Sequence, residues 1–242
     1  MIRKLLRRLT TGPEFPAIAP DSPFVAVGDI HGRADLLKRF LDMGQTYPVI
    51  CVGDYVDRGD ESAEVLQLLQ QRPDINCLSG NHEEMMLDFL KNPEKAGPRW
   101  LRYGGLQTLA SFGVAGVSDT SVGTALISAR DALEEAMGPE LITWLNNLPT
   151  RWQSGNVAVV HAGADPARSI SGQNIKALHW GHPDFSSSRR KDGLWIIHGH
   201  TIVEDPIVRR GRIAIDTGAY ATGRLTAVLV EHGKTTFQTI TQ

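Results

Sequence analysis

The sequence predicts an α/β fold, and three observations predict it. Short apolar runs rich in Val, Ile and Leu recur along the 242 residues, each bounded by turn residues as buried strands are. Between the first of these runs lie segments whose apolar residues fall at helical spacing. Strand, loop and helix alternate in that order, the pattern of a parallel sheet with its functional residues at the carboxyl ends of the strands.

A Pro-containing entry, residues 13–23, precedes the first expected strand at 24–27, which empties into Gly28-Asp29-Ile30-His31-Gly32. Residues 33–43 carry Leu36, Leu37, Phe40 and Leu41 on one side and are expected to be helical. The second strand, 48–52, leads into Gly53-Asp54-Tyr55-Val56-Asp57-Arg58-Gly59, and a helix over 62–71 follows with Val65, Leu66, Leu68 and Leu69 inward. The third strand, 75–78, ends in Gly80-Asn81-His82-Glu83, with a helix expected over 84–90.

Residues 91–116 are rich in Gly, Pro and aromatics (Trp100, Tyr103, Gly104, Gly105, Phe112) and read as a helical excursion with turns. Trp100, Arg102, Tyr103 and the Gly104-Gly105 turn suit either a rim over the site or the packing of this excursion. Helices are expected over 121–137 and 139–147, the second opening on Pro139. The composition is not that of a linker. Residues 91–150 are therefore expected to be an insertion within one domain, 23–242, preceded by a basic, Pro-containing extension at 1–22. From residue 156 strands dominate. Those at 157–160, 194–197 and 212–215 lead into His161-Ala162-Gly163, His198-Gly199-His200-Thr201 and Asp216-Thr217-Gly218-Ala219, and 225–230 with 235–240 close the chain as an antiparallel pair.

Composition narrows the function classes. With 25 Lys and Arg against 27 Asp and Glu, the net charge of −2 gives no electrostatic footprint for nucleic acid or an acidic membrane surface, so neither is an expected partner. No apolar run approaches the ~20 residues of a membrane span. Residues 1–9 are basic but lack the apolar region of a signal peptide, and a frayed or docked terminus is expected there. Cys51 and Cys77 sit inside strand-like runs and are expected to be buried and reduced, which points to the cytoplasm.

Five loops supply the chemistry: Asp29 with His31, Asp54, Asn81 with His82, His161, and His198 with His200. Singly, each is an ordinary turn aspartate or strand-end histidine; their recurrence at strand ends carries the signal. Residues two apart in an extended segment point the same way, so Asp29 and His31 can reach one ion. Spacing alone does not choose between His198 and His200. Carboxylate, imidazole and amide donors together suit a borderline metal such as Mn, Fe or Zn. Asp54, with two oxygens, is the natural member to be shared between two ions. The Arg58 guanidinium can face an anion in two-pronged fashion.

Gly28-Asp29-Ile30-His31-Gly32, Gly53-Asp54-Tyr55-Val56-Asp57-Arg58-Gly59, Gly80-Asn81-His82-Glu83, His161-Ala162-Gly163 and Gly199-His200-Thr201 together resemble the calcineurin-like metallophosphoesterases, and more narrowly the phosphoprotein phosphatases and their small bacterial and phage members. The match spans roughly residues 24–220. The resemblance implies a four-layer αββα sandwich of two mixed sheets. It implies a dinuclear metal centre, expected to hold manganese with iron or zinc as alternatives, in which Asp29, His31 and the bridging Asp54 hold one ion and Asn81, His161 and His200 complete the second. It makes His82 the general acid, Asp57 its orienting partner and Arg58 a phosphate clamp, with in-line attack by a hydroxide held between the ions.

The family's second phosphate-binding arginine follows a Trp by two residues. Here Trp180 is followed by His182, so either His182 contacts phosphate or an arginine such as Arg168, Arg189 or Arg190 substitutes. The expected activity is a phosphomonoesterase acting on phosphorylated protein side chains, serine, threonine or tyrosine. The alternative is a diadenosine tetraphosphate hydrolase of the same fold, whose members tend to carry Asp where this chain has Glu83.

Overall fold

The computed structural model describes residues 15–242; the basic stretch at 1–9 lies outside them. In chain order the elements are β1 (Phe24–Val27), α1 (Ala34–Asp42), β2 (Val49–Cys51), α2 (Ser62–Gln70), β3 (Ile75–Cys77), α3 (Asn81–Lys91), α4 (Pro93–Trp100), α5 (Leu106–Ser111), α6 (Thr124–Asn146), β4 (Arg151–Ser154), β5 (Val157–Val160), α7 (Ile175–Trp180), β6 (Trp195–His198), β7 (Ile207–Arg209), β8 (Arg212–Ala214), α8 (Ala219–Thr222), β9 (Arg224–Glu231) and β10 (Lys234–Thr241). They form two five-stranded mixed sheets, ordered β10-β9-β1-β2-β3 and β4-β5-β6-β8-β7. Strands β1, β2 and β3 run parallel, as do β5, β6 and β8; β9 and β10 form the expected antiparallel pair.

The layers follow from side-chain alternation along the strands. Val25, Val27 and Cys51 face outward onto Leu36, Leu37, Phe40, Leu66 and Leu69 of α1 and α2. Their neighbours Phe24, Ala26 and Ile50 face inward and meet Val157, Val159, Ile197 and Ile213 of the second sheet. On that sheet's far side, Ala158, Val160 and Ile196 pack against Ile170, Leu178 and Phe185. The result is the four-layer sandwich, with a thin outer layer on the second sheet made of α7 and a single helical turn at Ile170–Gly172.

Residues 91–150, expected as an insertion, share the same core: Trp100, Leu101, Leu109, Leu126, Leu133 and Leu141 are buried in one cluster with the residues of α1 and α2. Residues 15–22 of the expected extension also pack on the domain. Ile18 is buried between the sheets, and the amide of Ala19 donates to Asn156 Oδ1 at 2.7 Å.

Several boundaries differ from expectation. Helix α3 begins at Asn81 rather than 84, because Glu83 folds back to accept from the amide of Gly80 and caps the helix early. The two helices expected at 121–137 and 139–147 are both present within α6, the first starting at Thr124, and are separated by the non-helical Gly138 (φ 71°, ψ 161°). Strands β4 and β7 and helix α7 were not expected. β7 is exposed throughout and β4 buries only Ser154, so neither shows the apolar alternation that marks a half-buried strand. Cys51 and Cys77 are buried, free, and register partners across β2 and β3. Among the described residues no helix is long and apolar enough to cross a membrane.

Candidate metal centre

The loops leaving β1, β2, β3, β5 and β6 converge, and they do so through an unusual backbone. Among the described residues six non-glycine residues have positive φ: His31, Asp54, Asp57, Arg58, His200 and Arg210. Five of these six are expected site residues. Left-handed backbone is unfavourable for such side chains and persists where surrounding structure over-determines it. It also corrects the alternation argument for Asp29 and His31. β1 ends at Val27, and His31 sits at φ 44°, so the two stand on a folded loop rather than an extended strand, and Asp29 is in neither of the two ligand groups that the loops form.

Two groups of ligand atoms are brought within 4.8 Å of one another: His31, Asp54 and His82, and Asp54, His161 and His200. Asp54 belongs to both groups. His31 Nδ1 lies 2.8 Å from the carbonyl of Val56 and can only donate to it, which turns Nε2 toward Asp54 Oδ2 at 3.5 Å. His161 is oriented the same way: Nδ1 donates to Val52 O, and Nε2 lies 2.8 Å from Asn81 Oδ1 and 3.4 Å from Asp54 Oδ1. Asn81 Oδ1 is also 2.7 Å from His200 Nδ1. Asp29 Oδ2 accepts from the amide of His200 at 2.9 Å, whereas Asp29 Oδ1 is buried with no hydrogen-bond partner. Gly199 allows that approach, since a Cβ there would overlap Asp29 Oδ1.

The electrostatics favour cations in this space. Burial raises the Asp29 carboxyl well above its usual range, and the carboxylates of Asp216 and Asp54 push it the same way, opposed by the hydrogen bond from His200. Burial would also raise Asp54, but His161 and His82 outweigh it and hold this carboxyl well below its usual range. Burial lowers His31 to about 3 and His200 to about 4, so both are neutral near pH 7 with a lone pair to offer. An orphaned carboxylate oxygen, mutually repelling buried acids and neutral imidazoles facing an amide oxygen are a donor set that divalent ions would complete. The residues fit two such ions.

Beside this centre His82 Nδ1 donates to Asp57 Oδ2 at 2.6 Å, and His82 Nε2 lies 3.3 Å from Arg58 Nη2. Burial acts to lower the His82 pKa, but the Asp54 charge and the Asp57 hydrogen bond outweigh it and raise it overall. The amide of His82 donates to Asp54 Oδ1 at 3.0 Å, tying the imidazole's position to the shared ligand.

Several functional residues were not assigned from the sequence. Trp100 Nε1 and Thr108 Oγ1, both from the insertion, donate to the Asp57 carboxylate at 3.0 Å and 2.6 Å. Trp100 is fully buried and Tyr103 half exposed, so the insertion both packs and reaches the rim of the site. Glu83 accepts from the amides of Gly80, Asp54 and Tyr55 at 2.8–2.9 Å and from that of Val56 at 3.3 Å, pinning the Asp54 loop to the start of α3. Asp216 is buried next to Asp29; it follows an apolar strand into a Gly-containing loop, the same signal that marked the other ligands. Tyr220 stacks edge-on to His31 at 5.4 Å and lies under the Arg58 guanidinium at 4.8 Å.

Other expected residues stand apart. His182 lies 3.8 Å from Asp165 and 4.0 Å from Asp184, and Arg168 3.4 Å from Asp165. Both line a separate cavity with Lys176, Gly181 and Pro183 that includes none of the converging residues. The reason is local: Gly181 (φ 81°) ends α7 and turns the chain away after Trp180. Arg190 is tied to Asp192 and to the carbonyls of Asp165 and Arg168. His198 is buried edge-on to Phe185, with Nδ1 at 3.0 Å from the carbonyl of Gly199, while His200 is the histidine that enters the centre.

Residues 22–204 match the family model described as calcineurin-like phosphoesterase. The chain belongs to that family. It is similar to serine/threonine-protein phosphatase 1 of Salmonella typhimurium (strain LT2), 29% identical over 85% of this chain and 90% of that one. It is also similar to the symmetrical bis(5'-nucleosyl)-tetraphosphatase of Pseudomonas fluorescens (strain Pf0-1), 30% identical over 70% of this chain and 49% of that protein. A shorter match, 43% identical over 33% of this chain, covers only 37% of serine/threonine-protein phosphatase 2 of Escherichia coli (strain K12). Among solved structures, one titled as a putative diadenosine tetraphosphatase superposes with a TM-score of 0.62 over 93% of this chain and 98% of that one, at 20% identity, and so shares the fold.

Proposed function

We propose that this metallophosphoesterase is a phosphomonoesterase acting on phosphorylated protein side chains. The observation that carries the reading is the His82–Asp57 pair, at 2.6 Å, set beside Arg58 and two ligand groups that share Asp54. Asp29, His31 and Asp54 would hold one ion, and Asp54, Asn81, His161 and His200 the other. Manganese is the metal proposed, on the mixed oxygen and nitrogen donors. When bound, two divalent ions supply Lewis acidity at the phosphoryl oxygens and a nucleophile at neutral pH.

The protein's own residues then have distinct tasks. Arg58 binds the phosphoryl oxygens and offsets charge that grows on them. Its guanidinium now lies against His82 Nε2, and since it can only donate, it occupies the face where the acid must carry its proton. A bound phosphoryl group would draw Arg58 onto its oxygens and free Nε2 to protonate the leaving oxygen. Asp57 holds the imidazole through Nδ1 and favours its charged form. The two free buried cysteines suit a reducing compartment, and the cytoplasm is the location proposed.

A second reading, hydrolysis of dinucleoside tetraphosphates, is favoured by the similarity to the Pseudomonas tetraphosphatase. Glu83, where such hydrolases are expected to carry Asp, is the residue that speaks for the first; its carboxylate accepts from four backbone amides of the Asp54 loop and Gly80. The test is turnover by metal-stripped protein refilled with Mn²⁺, on phosphoserine, phosphothreonine and phosphotyrosine peptides beside diadenosine tetraphosphate. Phosphopeptide turnover that needs metal and collapses in His82→Asn supports the proposal. Turnover of the dinucleotide alone moves the assignment to the second reading.

A further inference from the structure

Arg58 forms one end of a shallow depression of about 370 Å³, lined also by Arg102, Tyr103, Gly104, Gln107 and Tyr220. No residue of this depression other than Arg58 has a place in the chemistry above. Its position sets what it can hold. The general acid protonates the leaving oxygen, and the acid's Nε2 lies 3.3 Å from Arg58 Nη2. A depression that begins at Arg58 therefore starts beside the acid that serves the leaving group.

Two of its six lining residues, Tyr103 and Tyr220, are aromatic. The Tyr220 ring lies 4.8 Å from the Arg58 guanidinium carbon and 5.4 Å from the His31 ring, beside the proposed phosphate clamp and a proposed metal ligand. Tyr103, 47% exposed, lines the same depression, its ring 5.7 Å from the Arg99 guanidinium carbon. The backbone fixes this rim. Gly104 (φ 111°) accepts from the Arg58 amide at 3.3 Å, and a Cβ at Gly104 would lie 2.6 Å from Arg58 N. Only glycine lets the insertion approach the arginine this closely, and Tyr103 is carried in with it. Arg102 is held to the Pro98 carbonyl at 2.8 Å, which keeps the rim anchored to α4.

We infer that the Arg58–Tyr103–Gln107–Tyr220 depression is a leaving-group subsite for an aromatic ring bonded directly to the ester oxygen, so that phosphotyrosine side chains are preferred over phosphothreonine. The inference rests on the phosphomonoesterase reading. A planar ring stacks on a tyrosine face or over a guanidinium, whereas the short aliphatic stem of phosphothreonine has no such face to offer. A nucleobase is separated from phosphorus by its sugar, and so stands beyond the wall that touches Arg58. Aryl esters are intrinsically more reactive, so a preference alone decides nothing; the response of the preference to the wall does.

The experiment measures kcat/KM of the Mn²⁺-loaded full chain on one peptide carrying phosphotyrosine or phosphothreonine at the same position, for wild type, Tyr103→Ala and Tyr103→Phe. Diadenosine tetraphosphate is run as a third substrate. In Tyr103→Ala the phosphotyrosine value is expected to fall about tenfold, and the phosphothreonine value less than about threefold. Tyr103→Phe, which keeps the ring, is expected to retain the wild-type ratio within about twofold. An equal fall on both peptides, no fall on phosphotyrosine, or a wild-type preference for phosphothreonine overturns the subsite while leaving the phosphomonoesterase standing. Turnover of diadenosine tetraphosphate alone overturns both.

Discussion

The indole Nε1 of Trp100 lies 3.0 Å from each carboxylate oxygen of Asp57, and with Thr108 it ties residues 91–150 to the partner of His82. Asp57 is buried, its Oδ2 accepts from His82 and its Oδ1 from Thr108. Replacing Trp100 by Phe keeps most of the buried ring and removes the donor. The expected outcome is a stability loss of about 1–3 kcal/mol in urea unfolding. A fall of about tenfold in kcat should accompany it, with KM little changed, because the imidazole loses part of what orients it. An unchanged kcat would mean that Thr108 and His82 suffice to fix Asp57.

His82→Asn should be felt in proportion to the leaving group's need for a proton. On an alkyl phosphate the loss expected is about 10²–10⁴ in kcat, the usual worth of a positioned general acid. On p-nitrophenyl phosphate, whose phenolate leaves unaided, the loss should be far smaller. Steady-state kinetics on the two substrates checks this, and equal losses would point to a role in holding metal instead.

Metal should stabilise the fold as well as activate it. Asp29, Asp54 and Asp216 are buried near one another, and Asp29 Oδ1 lacks a partner. Adding Mn²⁺ to stripped protein should raise Tm, and Asp54→Asn should blunt that rise because Asp54 belongs to both ligand groups. Differential scanning calorimetry across a metal titration provides the readout.

Away from the centre, Glu84 on α3 joins the two halves of the sandwich by accepting from His179 Nδ1 at 2.6 Å and Trp180 Nε1 at 3.1 Å. The His179 hydrogen bond leads in lowering the Glu84 pKa below its ordinary 4.5, with burial opposing it. A carboxyl depressed in the folded state contributes stability above its unfolded pKa and loses it as pH falls through the folded value. Wild type should thus exceed Glu84→Gln in urea midpoint at pH 6, with the gap closing below about pH 4.5. Because Glu84 is partly exposed, a difference of no more than about 1 kcal/mol is expected.

The parts of the fold legible in the sequence are those whose signal is local. Strands such as Val157–Val160 are buried on both faces and read as unbroken apolar runs, and each ligand follows such a run within a few residues. Strand Ile207–Arg209 lies exposed at a sheet edge, where no burial imposes a pattern. The sandwich itself rests on pairings such as β1 with β9, far apart in sequence, which no local periodicity encodes. The same holds at the site. Asp57 and Arg58 share a loop and could be read together, whereas the contact from Trp100 spans 43 residues and Tyr220 meets Arg58 only through the fold.

The place of His82 decides the whole scheme, since its ring lies within reach of the His31–Asp54 group and could in principle ligate. The most direct measurement is anomalous diffraction from crystals grown with Mn²⁺ and orthovanadate. The expected result is two manganese peaks bridged by Asp54, one bound by His31 and the other by Asn81, His161 and His200. Arg58 should lie on the vanadate, with His82 Nε2 facing its apical oxygen and still paired to Asp57. A manganese ion bound to His82 Nε2, or a single peak in place of two, would contradict it.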